Sequence, residues 1–352
     1  MTKKLMVVAG GTGGHIFPGI AVADYLKAQG WQIVWLGTAD RMEASVVPKH
    51  GFDIRFIKVK GVRGNGLKRL FTAPFMVLKA ILAARKIMRQ ERPDVLLAMG
   101  GYVTGPAGIA AKTLGIPLII HEQNAVAGVS NKLLAKFANR VCAAFPAAFE
   151  QGMATLVGNP VRASVSQITH HFDEQKCKVL VVGGSLGAAA LNDALPTVFA
   201  KLNEIKPISV WHQTGKGHVG GVTAQYQSLA LTANVSEFID DIDQAYAWAD
   251  LVICRAGALT VSEIAAAGKM AVFVPFPHAV DDHQTANAGY LVDSQAALLI
   301  QQHEMNTERL VALLQPYVEN KELISEMAKK AKALAKLDAT EQMAMYCEQL
   351  SK

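Results

Sequence analysis

The sequence predicts an α/β protein made of two Rossmann-like domains, each a doubly wound parallel sheet. Three observations carry that expectation. The chain has 352 residues, enough for two cores at about 150 residues per domain, and its 51% hydrophobic content supplies the material for both. Short apolar runs alternate with helical stretches, the pattern of parallel strands joined by crossover helices. Both halves open with the same device of strand, glycine turn and helix: LMVVAGGTGG at 5–14 and VLVVGGSLGA at 179–188.

The elements follow in order. Residues 5–9 form a short buried strand and Gly10–Gly14 the turn. His15 to Gln29 has helical periodicity through Ile16, Ile20, Val22, Ala23 and Leu26, and Gly30 ends it. Strands are expected at 31–37, 94–101, 117–124 and 140–145, with a helix of small residues between 101 and 117. The pattern restarts at 177, and later strands fall at 208–215, 235–239 (VSEFI), 251–257 and 270–276. The polar run SQITHHFDEQK at 166–176 reads as a linker. The expected domains are 1–161 and 162–336. The Ala/Lys-rich segment from Glu319 to Leu350 is expected to be helical, with its end, 337–352, packing back on the first domain.

The charge is divided. Residues 1–160 hold 20 Lys and Arg against 8 Asp and Glu, a net of +12, whereas 161–352 carry a net of −6. A basic half calls for an anionic partner such as phosphate, nucleic acid or an anionic membrane. Cys142, Cys177, Cys254 and Cys347 lie far apart, which suits neither a disulfide framework nor a zinc site and fits a reducing compartment. The opening MTKKLMVVAGG is too short in its apolar run for a signal peptide. No stretch approaches the roughly 20 apolar residues of a spanning helix.

Glycine turns at helix N-termini offer backbone N–H groups at the positive end of the helix dipole, a ready anion site. Two such turns suggest a diphosphate bound by each domain, although either turn could serve sheet packing alone. Neither has the G-x-G-x-x-G spacing of a dinucleotide site or the G-K-[ST] of a P-loop. Residues 55–92 hold 11 Lys and Arg and one acid, Glu91. Within them Phe71, Phe75, Leu78 and Leu82 recur every three or four residues, among Lys68, Arg69, Lys79, Arg85, Lys86 and Arg89. Either this stripe meets an anionic membrane surface, or it lies in the core with the bases in water.

Several blocks recur as an ordered set: GGTGGHIFPGIAVA (10–23), MGGYVTGPAG (99–108), HEQNAVAG (121–128), VGNPVR (157–162), GGSLGAAALN (183–192), FIDD (238–241), RAGALTVSEIAAAG (255–268) and VDDHQTANA (280–288). In these the chain closely resembles glycosyltransferase family 28, over nearly its whole length. The resemblance implies a GT-B fold, two Rossmann-like domains facing a cleft. It implies a UDP-N-acetylglucosamine (UDP-GlcNAc) donor, a polyprenyl-diphosphate-linked muramyl-pentapeptide acceptor and inversion at the sugar carbon. It places the protein peripherally on the cytoplasmic face of the bacterial inner membrane.

The resemblance also implies residue roles. In the second domain Glu263 accepts from the ribose hydroxyls, although a carboxylate there could instead serve the helix start. Phe238, Ile239 and Ile242 border the uracil. Ser185 and Arg162 meet the donor phosphates, with Thr12, Gly13, Gly14 and Asn124 also on the donor side. Asn192, Gln284 and Asn287 read the sugar, while Ala258, Leu259 and Thr260 offer backbone contacts. Across the cleft Gly11, His15, Tyr102, His121 and Asn124 meet the acceptor. The catalytic candidates are His15, as base or phosphate binder, and Glu122, which orients an imidazole, acts as base, or ties loops together. Phe71, Phe75, Leu78, Lys79 and Leu82 face the membrane. Asp241-Ile242-Asp243 spells a D-x-D metal signature, but it follows the FID strand end of the FIDD block and helix dipoles already answer the leaving diphosphate, so no tightly bound metal is expected, while loose Mg2+ stimulation stays open.

Two other readings compete. A UDP-GlcNAc 2-epimerase would share the donor site without needing the lipid patch. A nucleic-acid binder would use the basic half but leave the glycine turns unexplained, and nucleic acid is not expected as a partner. The glycine spacing weighs against an NAD enzyme.

Overall fold

The structure, a computed structural model, describes residues 2–59, 66–169, 175–184 and 187–351; the side chains of 66–73 and 280 lie outside the description. The chain divides into two compact units, Met1–Val161 with Lys336–Lys352, and Arg162–Ala335.

The first unit carries a seven-stranded sheet: β1 (Lys4–Ala9), β2 (Gln32–Gly37), β3 (Asp53–Phe56), β4 (Val95–Gly100), β5 (Leu118–Glu122), β6 (Arg140–Ala143) and β7 (Thr155–Leu156), in the order β3-β2-β1-β4-β5-β6-β7. Every pair is parallel. The second unit has β8 (Cys177–Val182), β9 (Ile208–Gln213), β10 (Ala233–Ser236), β11 (Leu251–Cys254), β12 (Met270–Phe273) and β13 (Leu298–Leu299), in the order β10-β9-β8-β11-β12-β13, again all parallel. Both orders reverse beside the first strand, and ligands of such sheets gather at the carboxyl ends there.

Strand alternation builds two layers on each sheet. Leu5, Val7 and Ala9 face Ile16, Ile20 and Ala23 of the Gly13–Ala28 helix, whereas Met6 and Val8 face Ala84, Met88, Ala107 and Ala111. In the second unit Val179 and Val181 meet Leu191, Leu195, Val198 and Phe199 of the Ala189–Ile205 helix.

Some expectations are corrected. β3, β7 and β13 were not foreseen. The first helix starts at Gly13, inside the predicted turn. The expected strand at 235–239 ends at Ser236, so Phe238 and Ile239 lie in the loop beyond it. The segment 319–350 is helical as expected, in two helices, Lys321–Ala333 and Ala339–Leu350. The last helix buries Met343, Ala344 and Cys347 in the core of the first unit, and the Arg140 guanidinium lies 4.5 Å from the Tyr346 ring centroid.

The basic helix spans Gly66–Glu91. Among its described side chains the buried ones are Ala80, Ala84 and Met88, which pack toward the Thr104–Leu114 helix. Phe75, Leu78 and Leu82 are 77%, 53% and 57% exposed. The alternative with this stripe in the core is therefore excluded for these three residues. The side chain of Phe71, with those of Lys68 and Arg69, lies outside the described residues. No helix among the described residues is long and apolar enough to cross a membrane.

Candidate active site

In the first unit the site is built where β1 and β4 end. Gly10 N donates to Gly100 O at 3.3 Å, joining the two strand ends. Thr12 is the N-cap of the Gly13–Ala28 helix but makes no side-chain cap bond. Among the described residues the amides of Thr12, Gly13 and Gly14 have no acceptor, so the helix N-terminus keeps donors for an anion. Gly11 N is used otherwise: it donates to Glu43 Oε2 at 2.9 Å. Glu43 is fully buried, and its Oε1 also accepts from Thr38 N at 2.9 Å and Thr38 Oγ1 at 2.7 Å. The expected contact of Gly11 with the acceptor is thus replaced, for its amide, by a strut. Sequence reasoning missed Glu43; a glutamate opening a helix just past a strand end was the available signal.

His15 Nδ1 lies 3.2 Å from Gly10 O. A carbonyl only accepts, so Nδ1 carries a proton toward it. Gly100, at φ 112°, makes room for this ring: a Cβ there would lie 2.6 Å from His15 Cδ2. Tyr102 follows on the same turn and is exposed.

Two candidates at the end of β5 are corrected. His121 is fully buried; its Nε2–H donates to Gly158 O at 2.8 Å and its Nδ1 accepts from Gln123 Nε2 at 3.0 Å. Burial lowers its pKa to about 4, against weaker opposing effects of the Gly158 bond and Glu122. A neutral ring with both nitrogens engaged has nothing left for an acceptor. Glu122 is buried too. Its Oε1 accepts from Asn124 N and Nδ2 at 3.0 and 3.2 Å, and its Oε2 from Gly128 N and Asn131 Nδ2 at 3.0 and 2.9 Å. Of its three candidate roles, four donors on one carboxylate fit the tying of a loop, not a base. Asn124 is held in that loop by Glu122.

In the second unit the corresponding turn leaves β8 at Gly183. Ser185 lies outside the described residues. Gln213, at the end of β9, clamps the turn in both directions: Gly184 N donates to its Oε1 at 3.1 Å, and its Nε2 donates to Gly184 O at 2.9 Å. Asn192 is buried behind the turn, its Nδ2 donating to Thr214 O at 3.0 Å and its Oδ1 3.1 Å from His212 Nε2. The expected sugar contact from Asn192 is corrected, because both side-chain atoms are committed inside the unit. Asn287 is likewise fully buried and donates to Ala256 O at 3.2 Å, which ties it to the next loop.

That loop leads into the Ala258–Ala267 helix. Val261 N is the first amide in its ladder, onto Gly257 O at 2.9 Å, so Ala258, Leu259 and Thr260 occupy the N-terminal positions that precede it. Glu263 stands in the second turn, not the first, and is buried. Its Oε2 accepts from Tyr246 OH at 3.2 Å, and its Oε1 lies 3.6 Å from the Arg162 guanidinium. Burial raises its pKa, and Arg162 and the Tyr246 hydroxyl oppose the rise. Gln284 accepts from Phe276 N at 2.9 Å through its Oε1, leaving its amide NH2 as the group a sugar would meet. Phe238 is exposed, Ile239 buried, and Ile242 begins the Ile242–Trp248 helix. Of the D-x-D pair, Asp241 caps that helix through Gln244 N, and Asp243 accepts from Ser164 Oγ. Among the described residues no group of three or more His, Cys, Asp or Glu is placed to hold a metal ion.

Two sheets of Rossmann order, each meeting a glycine turn and a helix N-terminus at its switch point, define a protein of the GT-B class. The family model of the glycosyltransferase family 28 N-terminal domain matches residues 5–143, and that of the C-terminal domain matches 178–343. The "UDP-N-acetylglucosamine--N-acetylmuramyl-(pentapeptide) pyrophosphoryl-undecaprenol N-acetylglucosamine transferase" of Pseudoalteromonas translucida is 68% identical, over 100% of this chain and 99% of that one. A crystal structure of Acinetobacter baumannii MurG is 43% identical with TM-score 0.87, covering 99% of both chains. The chain belongs to glycosyltransferase family 28. The UDP-GlcNAc 2-epimerase of Neisseria meningitidis, at 12% identity and TM-score 0.70 over 99% of this chain and 100% of that one, shares the fold alone.

Proposed function

We propose that the protein is an inverting glycosyltransferase. It moves GlcNAc from UDP-GlcNAc to the C4 hydroxyl of N-acetylmuramic acid in undecaprenyl-diphospho-muramyl-pentapeptide, at the cytoplasmic face of the bacterial inner membrane. The observation that carries this reading is the 68% identity, over the whole chain, to a relative named for that transfer.

The acceptor hydroxyl oxygen attacks the anomeric carbon of GlcNAc while His15 Nε2 takes its proton. The bond from that carbon to the diphosphate breaks, and UDP leaves with the electron pair. The leaving charge is met by the N-terminal amides of the Ala189–Ile205 helix, Ser185 in its turn, and Arg162. These groups answer the charge without a resident metal, and loose stimulation by Mg2+ is compatible with them. Glu263 accepts from the ribose diol, Leu259 and Thr260 offer amides, Phe238 and Ile242 border the base, and Gln284 reads the sugar. Thr12, Gly13 and Gly14 bind phosphate or sugar at the first helix N-terminus, with Tyr102 and Asn124 beside the acceptor. The exposed Phe75, Leu78 and Leu82, with Lys79, rest on anionic lipid.

The test is an assay with labelled UDP-GlcNAc and a lipid-linked muramyl acceptor. The expected product is β-linked. His15→Ala lowers kcat about 100-fold or more while UDP binding persists, and Glu263→Ala weakens UDP about tenfold. A product of retained configuration, or full turnover by His15→Ala, would sink the mechanism.

A further inference from the structure

We propose that Tyr226, His212 and Asn192 form a relay of positioning residues that fixes the second glycine turn from behind, and thereby sets the grip on the donor's diphosphate. The inference rests on the donor-site reading above and deepens it. None of the three touches substrate: all are buried within the second unit.

One end of the relay fixes every proton in it. The Thr214 carbonyl can only accept, so the Asn192 atom 3.0 Å away is the Nδ2 donor. The Asn192 oxygen then faces His212 Nε2 at 3.1 Å, so Nε2 carries the hydrogen. A neutral ring protonated there has its lone pair on Nδ1, and the group 2.8 Å from Nδ1 is the Tyr226 hydroxyl, which therefore donates. The direction runs Tyr226 to His212 to Asn192 to the Thr214 carbonyl, with no donor facing a donor. Burial keeps the imidazole neutral, lowering its pKa to about 4. The two rings meet edge to face at 5.9 Å.

The far end of the relay is the turn itself. Gly187, at φ 77°, lies directly against the Thr214 carbonyl, and a Cβ on it would collide with that oxygen. Asn192 is the fourth residue of the helix whose N-terminus closes the turn. Fastening Asn192 to Thr214 O therefore holds the first helical turn against the end of β9, while Gln213 holds Gly184 on the other side. Amides aimed at a diphosphate lose binding when the backbone carrying them shifts by a fraction of an ångström. A nucleoside without phosphates does not use those amides.

The experiment measures the affinity of the full chain for UDP and for uridine by calorimetry or competition, in wild type, Asn192→Leu, Tyr226→Phe, His212→Leu and His212→Gln. Asn192→Leu is expected to weaken UDP about tenfold, and Tyr226→Phe about threefold, as losses of one buried hydrogen bond each. Uridine affinity should stay within about twofold. His212→Gln, whose amide both accepts and donates, should recover affinity that His212→Leu loses. If Asn192→Leu does not fold, the conservative Tyr226→Phe decides. UDP affinity unchanged in the variants, or UDP and uridine weakened alike, overturns the relay. Wild-type protein that fails to bind UDP overturns the donor-site reading itself.

Discussion

Acidification should destabilise each unit through one buried histidine. His121 and His212 both have pKa lowered from 6.5 to about 4 by burial. The folded state thus resists protonation that the unfolded chain accepts from pH 6.5 downward. Stability is present above pH 6.5 and is lost as pH falls toward 4. A displacement of this size corresponds to about 3 kcal/mol per histidine in full, of which about 2 kcal/mol is gone at pH 5. Glu263 acts in the opposite sense, because a raised carboxyl pKa favours the folded state on acidification. The comparison must therefore be wild type against variant. Urea unfolding at pH 7 and pH 5 should show that His121→Gln loses about 2 kcal/mol less than wild type in the transition of the first unit, and His212→Gln likewise in the second. If a variant falls with pH as steeply as wild type, the imidazole was not held neutral and the reasoning fails.

Acidic substitutions at Phe75 and Lys79 should weaken binding to vesicles containing anionic lipid, each basic charge near the surface being worth about 1 kcal/mol. UDP affinity should be spared, and unchanged sedimentation with vesicles would count against the lipid-facing role. Gly100→Ala pushes a methyl group into the His15 ring, so kcat should fall at least about tenfold with little change in the KM for UDP-GlcNAc; full turnover would show that the ring position does not matter. Met343→Ala opens a cavity in the first unit's core and should cost about 2–5 kcal/mol there. A denaturation curve in which the second unit is lost instead would contradict the assignment of the last helix.

The sheets were legible because their strands are short, buried on both faces and flanked by glycine: LMVVA and VLVV cannot be mistaken once a turn follows at once. β7 and β13, two residues each at sheet edges, leave no such pattern. Strand VSEFI was overread because Phe238 continues the apolar run in composition while its backbone has already left the sheet. At the site, residue type disclosed which positions carry polar chemistry but not which way they point. His121, Asn192 and Asn287 follow the motifs and still turn inward, since a buried turn needs its carbonyls satisfied as much as a ligand needs donors. The stripe on the basic helix shows the same limit. Periodicity gave the face, yet small Ala80 and Ala84 took the core because they allow the Thr104–Leu114 helix to approach closely.

The second unit is a continuous chain, 162–335, inserted into a first unit that resumes at Lys336. Gly158 packs directly against Lys336, so the two severed ends of the first unit are already neighbours. Joining Val161 to Lys336 through a few flexible residues should therefore give an autonomous amino-terminal half. A truncation at Val161 alone would strip Met343 and Cys347 from its interior. The same junctions mark the seams for exchanging the inserted half as a cassette with that of a relative, leaving the first unit's own core intact.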